Sequence, residues 1–140
     1  MRELKFRIWH KHAKHFCGNL KKYLLNIHTG ELEVANYSDL YEEWYYSDRM
    51  ENDYIIQQYT GMIDRNGVEV YEGDIVAEKI TEEMAANGDS ATVGVVYFAA
   101  GTFLIDGDGA LYERVFSDSP HILEDFIVIG NIFENSELLK

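Results

Sequence analysis

The stretch "QYTGMIDRNGVEVYEGDIV", residues 58–76, constrains the fold more than any other part of the chain. Apolar and polar residues alternate on both sides of Asn66-Gly67, which is the period of a β-strand that buries one face. Because Asn and Gly tolerate positive φ, this pair is the strongest short-range signal for a β-hairpin. The sequence therefore predicts two antiparallel strands joined by a type I′ turn.

The other glycines of this pattern also have structural explanations. Gly73 interrupts the second arm at "EGD" before "IVAEKI" resumes it, and we expect Asp74 to accept a hydrogen bond from a backbone amide in that turn. "EGDIV" at the start of a strand is common in small SH3-like barrels, which is an association with a fold and not with a function. Gly61 and Gly130 lie inside strand-like runs, so we count them with this structural motif and not with a site.

Most of the remaining chain also reads as short strands. In "LKFRIW", the apolar residues Leu4, Phe6 and Ile8 alternate with Lys5, Arg7 and Trp9, as in a half-buried strand. A hairpin is predicted around Gly30, another near Ala100-Gly101, and a further reversal at "DGDG", residues 106–109.

Two short helical pieces complete the prediction. One is a single turn at residues 82–86, and the other lies in "ENSELLK", with Asn135 or Ser136 as its N-cap. The predicted fold class is mainly β, with a small partly open barrel, SH3-like in part, and short helical pieces.

At 140 residues the chain is expected to form one domain, residues 1–140, with N-terminal strands in 1–57 and a barrel-like part in 58–140. The single cysteine, Cys17, excludes an internal disulfide framework and favours a reducing compartment. No apolar run is long enough to span a bilayer and the N-terminus is not a secretory signal, so no membrane contact is expected.

Charge is unevenly distributed along the chain. Residues 1–22 hold seven basic residues and one acidic residue, a net charge of +6, whereas the other 118 residues hold five basic and 24 acidic residues, a net charge of −19. The total of −13 argues against generic binding to nucleic acid backbones. We expect the basic arm to lie against acidic surface, either of its own chain or of a neighbouring copy.

Motifs for catalysis are absent from the sequence. There is no phosphate-binding or dinucleotide-binding glycine loop, no G-x-S-x-G and no H-E-x-x-H. His10, His12 and His15 lie close together but lack a matching Cys or His pair, and "DGDG" lacks the further acids of a calcium loop. The sequence thus predicts no catalytic residues, no metal and no cofactor.

The segment "DLYEEWYYSDRMENDY" combines aromatic and acidic residues in a composition that suits protein contact. Its candidate partner-binding residues are Trp44, Tyr45, Tyr46 and Tyr54. The alternative left open is that these aromatic rings form part of the core and the acids a solvated rim.

The opening "MRELKFRIWHK", the central "QYTGMIDRNGVEVYEGDIV" and the closing "VIGNIFENSELL" together resemble the YopX family of bacteriophage and prophage proteins. The resemblance spans nearly the whole chain, with little of it in residues 12–53 and 82–125. It implies a barrel-like β architecture, a tendency to oligomerise and a location in the host bacterial cytoplasm, and it carries over no catalytic residues.

Three functions follow as hypotheses. The first is an accessory phage protein that acts by self-association and by binding a host or phage protein, with no specific nucleic acid partner. The second is an acidic decoy that occupies a host nucleic-acid-binding protein, on the basis of the −19 charge of residues 23–140. The third is an enzyme whose acid–base pair the sequence does not identify.

Overall fold

The computed structural model describes residues 4–17, 22–25, 28, 32–38, 43–47, 53–107, 110–112, 122–123 and 125–140. Strands make up most of it: β1 (Phe6–His10), β2 (His15–Phe16), β3 (Lys22–Leu25), β4 (Leu32–Ser38), β5 (Glu43–Ser47), β6 (Tyr54–Asp64), β7 (Glu69–Tyr71), β8 (Asp74–Glu78), β9 (Val93–Ala99), β10 (Thr102–Gly107), β11 (Ala110–Tyr112), β12 (Ile122–Leu123) and β13 (Phe126–Asn131). The helical pieces are α1 (Glu82–Asn87) and a 3₁₀ turn at Ser136–Leu139.

The chain divides into two compact units. The first comprises Met1–Phe6 and Gln57–Lys140, and the second comprises Arg7–Ile56. The predicted single domain and its sub-regions 1–57 and 58–140 stay predictions.

In the first unit, five antiparallel strands follow the order β11-β10-β9-β8-β13 and curl into a half-barrel. β6 pairs with β7 in antiparallel and with β12 in parallel orientation. The core is built from β-branched and aromatic side chains that suit a pleated, buried surface: Val70, Val76, Val96, Phe103, Ile105 and Phe126, with Val128 packed against them. This architecture confirms the predicted fold class, mainly β with a small partly open barrel, SH3-like in part.

The second unit contains a three-stranded antiparallel sheet in the order β3-β4-β5. The pairing of β3 with β4, from Lys22 opposite Ala35 to Leu25 opposite Leu32, confirms the predicted hairpin, although Gly30 of its turn lies outside the described residues. β1 pairs with β2, and a small cluster of Ile8 and Tyr54 packs with Cys17 and Ile56.

The hairpin between β9 and β10 forms where the sequence predicts it. Ala100 and Gly101 both have positive φ, at 51° and 81°, and Ala99 lies opposite Thr102. Two successive left-handed residues define a type I′ turn, whose twist matches that of the flanking strands. The reversal predicted at residues 106–109 is also confirmed, because Gly107 of β10 lies opposite Ala110 of β11.

The short helices form close to their predicted positions. Thr81 caps α1 by accepting a hydrogen bond from the backbone N–H of Met84, and Gly88 ends the helix at a φ of 78°. Asn135 precedes the 3₁₀ turn but caps it with no side-chain hydrogen bond. Asn135 is therefore the N-cap residue, as predicted, but its Oδ1 accepts from the backbone N–H of Asn131 and not from the first turn of the helix.

The N-terminal strand departs from its predicted pattern. Ile8 is buried as expected, but Trp9 is buried as well, with its ring edge-on to Phe16 at 5.1 Å. Leu4 and Phe6, predicted to face the interior together with Ile8, are 70% and 43% exposed. Alternation along a strand reports which side chains share a face, and it does not report what covers that face.

Candidate functional site

The glycine-rich stretch of residues 58–76 contains the loop between β6 and β7. The loop between β6 and β7 closes through two backbone hydrogen bonds, from Gly67 N to Asp64 O at 2.9 Å and from Asp64 N to Val68 O at 2.8 Å. Gly67 has a φ of +81°, whereas Asn66 keeps a negative φ. The loop is therefore a type I turn followed by a left-handed glycine. The predicted hairpin is confirmed, and the predicted type I′ turn was wrong.

The side chain of Asp64 explains this turn type. Its carboxylate, 1% exposed, accepts hydrogen bonds at Oδ1 from Asn66 N at 2.8 Å and from Val68 N at 2.9 Å. Oδ2 accepts from Val128 N of β13 at 3.0 Å. Three backbone donors satisfy a buried charge that would otherwise be costly to desolvate. Asp64 therefore organises the turn and joins it to β13.

Gly61 lies at an irregularity in β6. Three residues of β6, at positions 60–62, face the single residue Val70 of β7, and Gly61 adopts a φ of 88° there. The Thr60 hydroxyl donates to Val70 O at 2.8 Å and accepts from Met62 N at 3.1 Å, so it takes the place of a missing ladder hydrogen bond.

A buried polar cluster surrounds Gly73. Asp74 Oδ2 accepts from Tyr71 N at 2.8 Å, which confirms the predicted backbone hydrogen bond of Asp74. Asn131 Nδ2 donates to Gln57 Oε1 at 3.2 Å and to Asp74 Oδ1 at 3.4 Å. A Cβ at Gly73 would lie 1.8 Å from Gln57 Nε2. The position requires glycine because the amide of Gln57 occupies the space of a side chain.

Gly130 is constrained in a similar way. A Cβ there would lie 2.7 Å from Asn135 Oδ1, the oxygen that also holds the backbone N–H of Asn131. Gly130 and Gly73 therefore let polar side chains approach the backbone closely.

An electrostatic cluster ties the basic arm to β7 within the first unit. The Lys5 ammonium forms an ion pair with Glu69, and the Tyr71 hydroxyl donates to the other carboxylate oxygen at 2.8 Å. The hydrogen bond from Lys5, and then that from Tyr71, hold the pKa of Glu69 below its ordinary value of 4.5. Lys5 also lies 5.5 Å from the centroid of the Tyr59 ring.

His10 ends β1, His12 lies on the turn that follows and His15 begins β2, all in the second unit. The His10 ring is 6.3 Å from the His12 ring and 6.1 Å from the His15 ring. His10 Nδ1 accepts from Ala13 N, and His12 Nε2 is 2.9 Å from Asp53 Oδ1. Within the described ranges, no three His, Cys, Asp or Glu side chains are arranged to hold a metal ion.

The predicted partner-binding aromatic residues fall in two different settings. Trp44, Tyr45 and Tyr46 lie on β5, opposite Tyr37, Asn36 and Ala35 of β4, and their side chains lie outside the description. Tyr54 is 6% exposed and its ring meets the His10 ring edge-on at 4.8 Å. Tyr54 therefore packs within the second unit, and partner binding by the four aromatic residues stays a prediction.

An open groove of about 410 Å³ lies where the C-terminal residues meet β9 and β10. Its charged lining residues are Asp106 and Lys140. Its lining comprises Ala91, Val93, Asp106, Gly107, Leu138, Leu139 and Lys140.

The surface that sequence reasoning missed is the pair of exposed apolar side chains at Leu4 and Phe6. The only sequence signal for them is the alternation that also predicts a buried face, so the pattern could not separate the two outcomes. No described helix is long and apolar enough to cross a membrane.

Comparison with known proteins gives three findings. The crystal structure of protein EF1440 from Enterococcus faecalis is similar, with a TM-score of 0.67, 27% sequence identity and coverage of 100% of both chains. No curated protein matches the sequence. The model of a protein family described as "YopX protein" matches residues 5–140. Because that match includes nearly every residue, the chain belongs to the YopX family.

Proposed function

We propose that this protein is a bacteriophage or prophage accessory protein that acts in the host bacterial cytoplasm through protein contacts, of which self-association is the first. The observation that carries the proposal is the exposure of Leu4 and Phe6, of which Phe6 is the first residue of β1 and Leu4 lies two residues earlier in the chain. Large apolar side chains exposed close together are a feature of surfaces that meet a partner.

The charge distribution supports a second copy of the chain as the occupant of this surface. Residues 1–22 carry +6 and the rest of the chain carries −19, so the arm of one copy is attracted to the body of another. The ion pair between Lys5 and Glu69 joins these two parts of the sequence within one copy. Leu4 and Phe6 flank Lys5 and supply the apolar contact that charge alone lacks.

An interface of this kind would resist salt. Attraction between exposed charges is screened over a Debye length of about 8 Å at physiological ionic strength, whereas apolar contact is not screened. A contact of this kind repeats by symmetry in every copy, so it produces closed dimers or rings.

Light scattering coupled to size-exclusion chromatography, at low and at high salt, tests the proposal. We expect a mass that is a multiple of 16.2 kDa in both buffers. Replacing both Leu4 and Phe6 by Ser should lower that mass toward that of a single chain. The matched control replaces Val68 and Ile80, which are 45% and 46% exposed, by Ser and should leave the assembly intact.

Other outcomes would count against the proposal in different ways. A single-chain mass for the unmodified protein in both buffers would refute self-association. Dissociation by salt alone would leave charge, and not Leu4 and Phe6, as the cause. Loss of assembly in Trp44→Ser, with assembly kept in the Leu4 and Phe6 variant, would move the interface to β5.

A further inference from the structure

The sequence contains two Asn-Gly pairs, Asn66-Gly67 and Asn87-Gly88, and all four residues are exposed. Because glycine has no Cβ, its backbone nitrogen has unusually free access to the side chain of a preceding Asn. We propose that Asn87 is a site of spontaneous deamidation in the native protein, and that the fold protects Asn66 from the same reaction.

The reaction needs only water. The backbone nitrogen of the glycine attacks Cγ of the Asn, a C–N bond forms, and the side-chain nitrogen leaves as ammonia. Water then opens the resulting succinimide at either carbonyl and gives Asp or isoaspartate. One water is consumed and one ammonia is released, with no oxidation or reduction.

Attack requires the glycine nitrogen to leave its hydrogen bond and turn toward the Asn side chain. At the first pair, the Gly67 N–H donates to Asp64 O at 2.9 Å. The amides on either side of it, of Asn66 and Val68, are both held by Asp64 Oδ1. The other carboxylate oxygen holds Val128 N of β13, so freeing Gly67 also disturbs the barrel.

The second pair lacks this support. Asn87 is the last residue of α1, a helix of six residues that contains no buried residue. A helix this short has little stability of its own, and Met84 is its one half-buried side chain. The Gly88 N–H donates to Ala85 O at 3.2 Å and also to Met84 O, and Asp89 N donates to Met84 O at 2.9 Å, so every acceptor belongs to α1 itself. Opening there is local, so its free energy lies near the low end of the range for native proteins.

Deamidation of Asn87 would change the C-terminal end of α1 in two ways. It adds one negative charge at the C-terminus of α1, where the helix dipole disfavours an anion. Isoaspartate also inserts an extra carbon into the main chain, so the cap at Gly88 cannot re-form with the same geometry. Both effects favour further fraying of α1.

Tryptic mapping of the aged native protein tests the proposal, because cleavage after Arg65 and Lys79 places the two Asn residues in different peptides. We expect the mass gain of an amide-to-carboxyl conversion to accumulate in the peptide that begins at residue 80, several-fold faster than in the peptide that begins at residue 66. Fragment ions should place the change at Asn87. Isomerisation of Asp106 in the same peptide would not alter the mass.

Two controls make the result decisive. In concentrated urea both Asn residues should react at similar rates, because glycine follows each of them. Asn87→Gln should abolish the fast conversion in the native protein, since the longer side chain forms a less favourable ring. Equal rates at both sites in the native protein, or no conversion at Asn87 while the unfolded protein reacts, would overturn the proposal.

Discussion

The carboxylate of Asp64 accepts the backbone N–H of Val128 at 3.0 Å, across 64 residues of sequence. The same carboxylate holds two amides of the hairpin loop, so one side chain fixes the turn between β6 and β7 and joins it to the last strand of the half-barrel. A hydrogen bond to a charged group contributes about 1.5–3 kcal/mol, and this acceptor serves three donors.

We therefore expect Asp64→Asn to lower the free energy of unfolding by about 2–4 kcal/mol, because an amide nitrogen would face at least one N–H donor. Urea unfolding measures the change as a shift in midpoint at constant slope. Asp106→Asn, at an exposed carboxylate on β10, is the control and should change stability by about 0.5 kcal/mol or less. An equal effect at both positions would contradict the role of Asp64.

Substitutions at Gly67 and Gly73 distinguish the cost of backbone strain from the cost of a steric clash. Their φ values are nearly equal, at +81° and +79°, but a Cβ at Gly67 meets nothing within 4 Å, whereas one at Gly73 lies 1.8 Å from Gln57 Nε2. We expect Gly67→Ala to cost about 1–2 kcal/mol and Gly67→Val about 1–3 kcal/mol from strain.

Gly73→Ala should cost more than Gly67→Ala by a further 1–3 kcal/mol or so, because Gln57 must move. Denaturant unfolding of the two Ala variants compares them directly. If Gln57 is the obstacle, Gln57→Ala should lessen the effect of Gly73→Ala in a double-mutant cycle and leave that of Gly67→Ala unchanged. Equal costs for the two Ala variants would refute the steric explanation.

Ala100 offers the opposite test, because the natural residue is the strained one. It takes a φ of 51° in a type I′ turn, a position where Asn is preferred. We expect Ala100→Asn to raise the free energy of unfolding by about 0.5–1 kcal/mol and Ala100→Val to lower it. Thermal and urea unfolding should agree in sign. A destabilising Ala100→Asn would contradict the assigned turn.

The features that the sequence predicted correctly are local. Turn chemistry at Asn66-Gly67 and at Ala100-Gly101 depends on residues next to one another, so both hairpins could be placed without the structure. The turn type of the first hairpin could not be placed, because the carboxylate of Asp64 selects it by holding Asn66 N and Val68 N. A sequence pattern does not show where a carboxylate points.

Features that depend on contacts between residues distant in sequence could not be predicted. Nothing near Gly73 in the sequence indicates that the amide of Gln57 fills its side-chain space. The exposure of Leu4 and Phe6 likewise depends on what packs over β1, which alternation does not encode. Prediction from sequence therefore reached the strands and turns of this protein but not the contacts that set its surface.

Glu69 links stability to pH. Its pKa is lowered by hydrogen bonds from Lys5 and Tyr71, so the folded state binds a proton there less readily than the unfolded state, where the value is near 4.5. The stabilisation is present in full above that value and is lost as pH falls through the lower folded pKa. We expect the difference in unfolding free energy between the natural protein and Glu69→Gln to be constant near neutral pH and to shrink below about pH 4.5. The Lys5 and Glu69 side chains are both 40% exposed, so added salt should reduce the difference in unfolding free energy between the natural protein and Glu69→Gln. In a Lys5→Met background, most of that difference should be lost. Urea unfolding over this pH range measures it, and a difference that grows on acidification would refute the assignment.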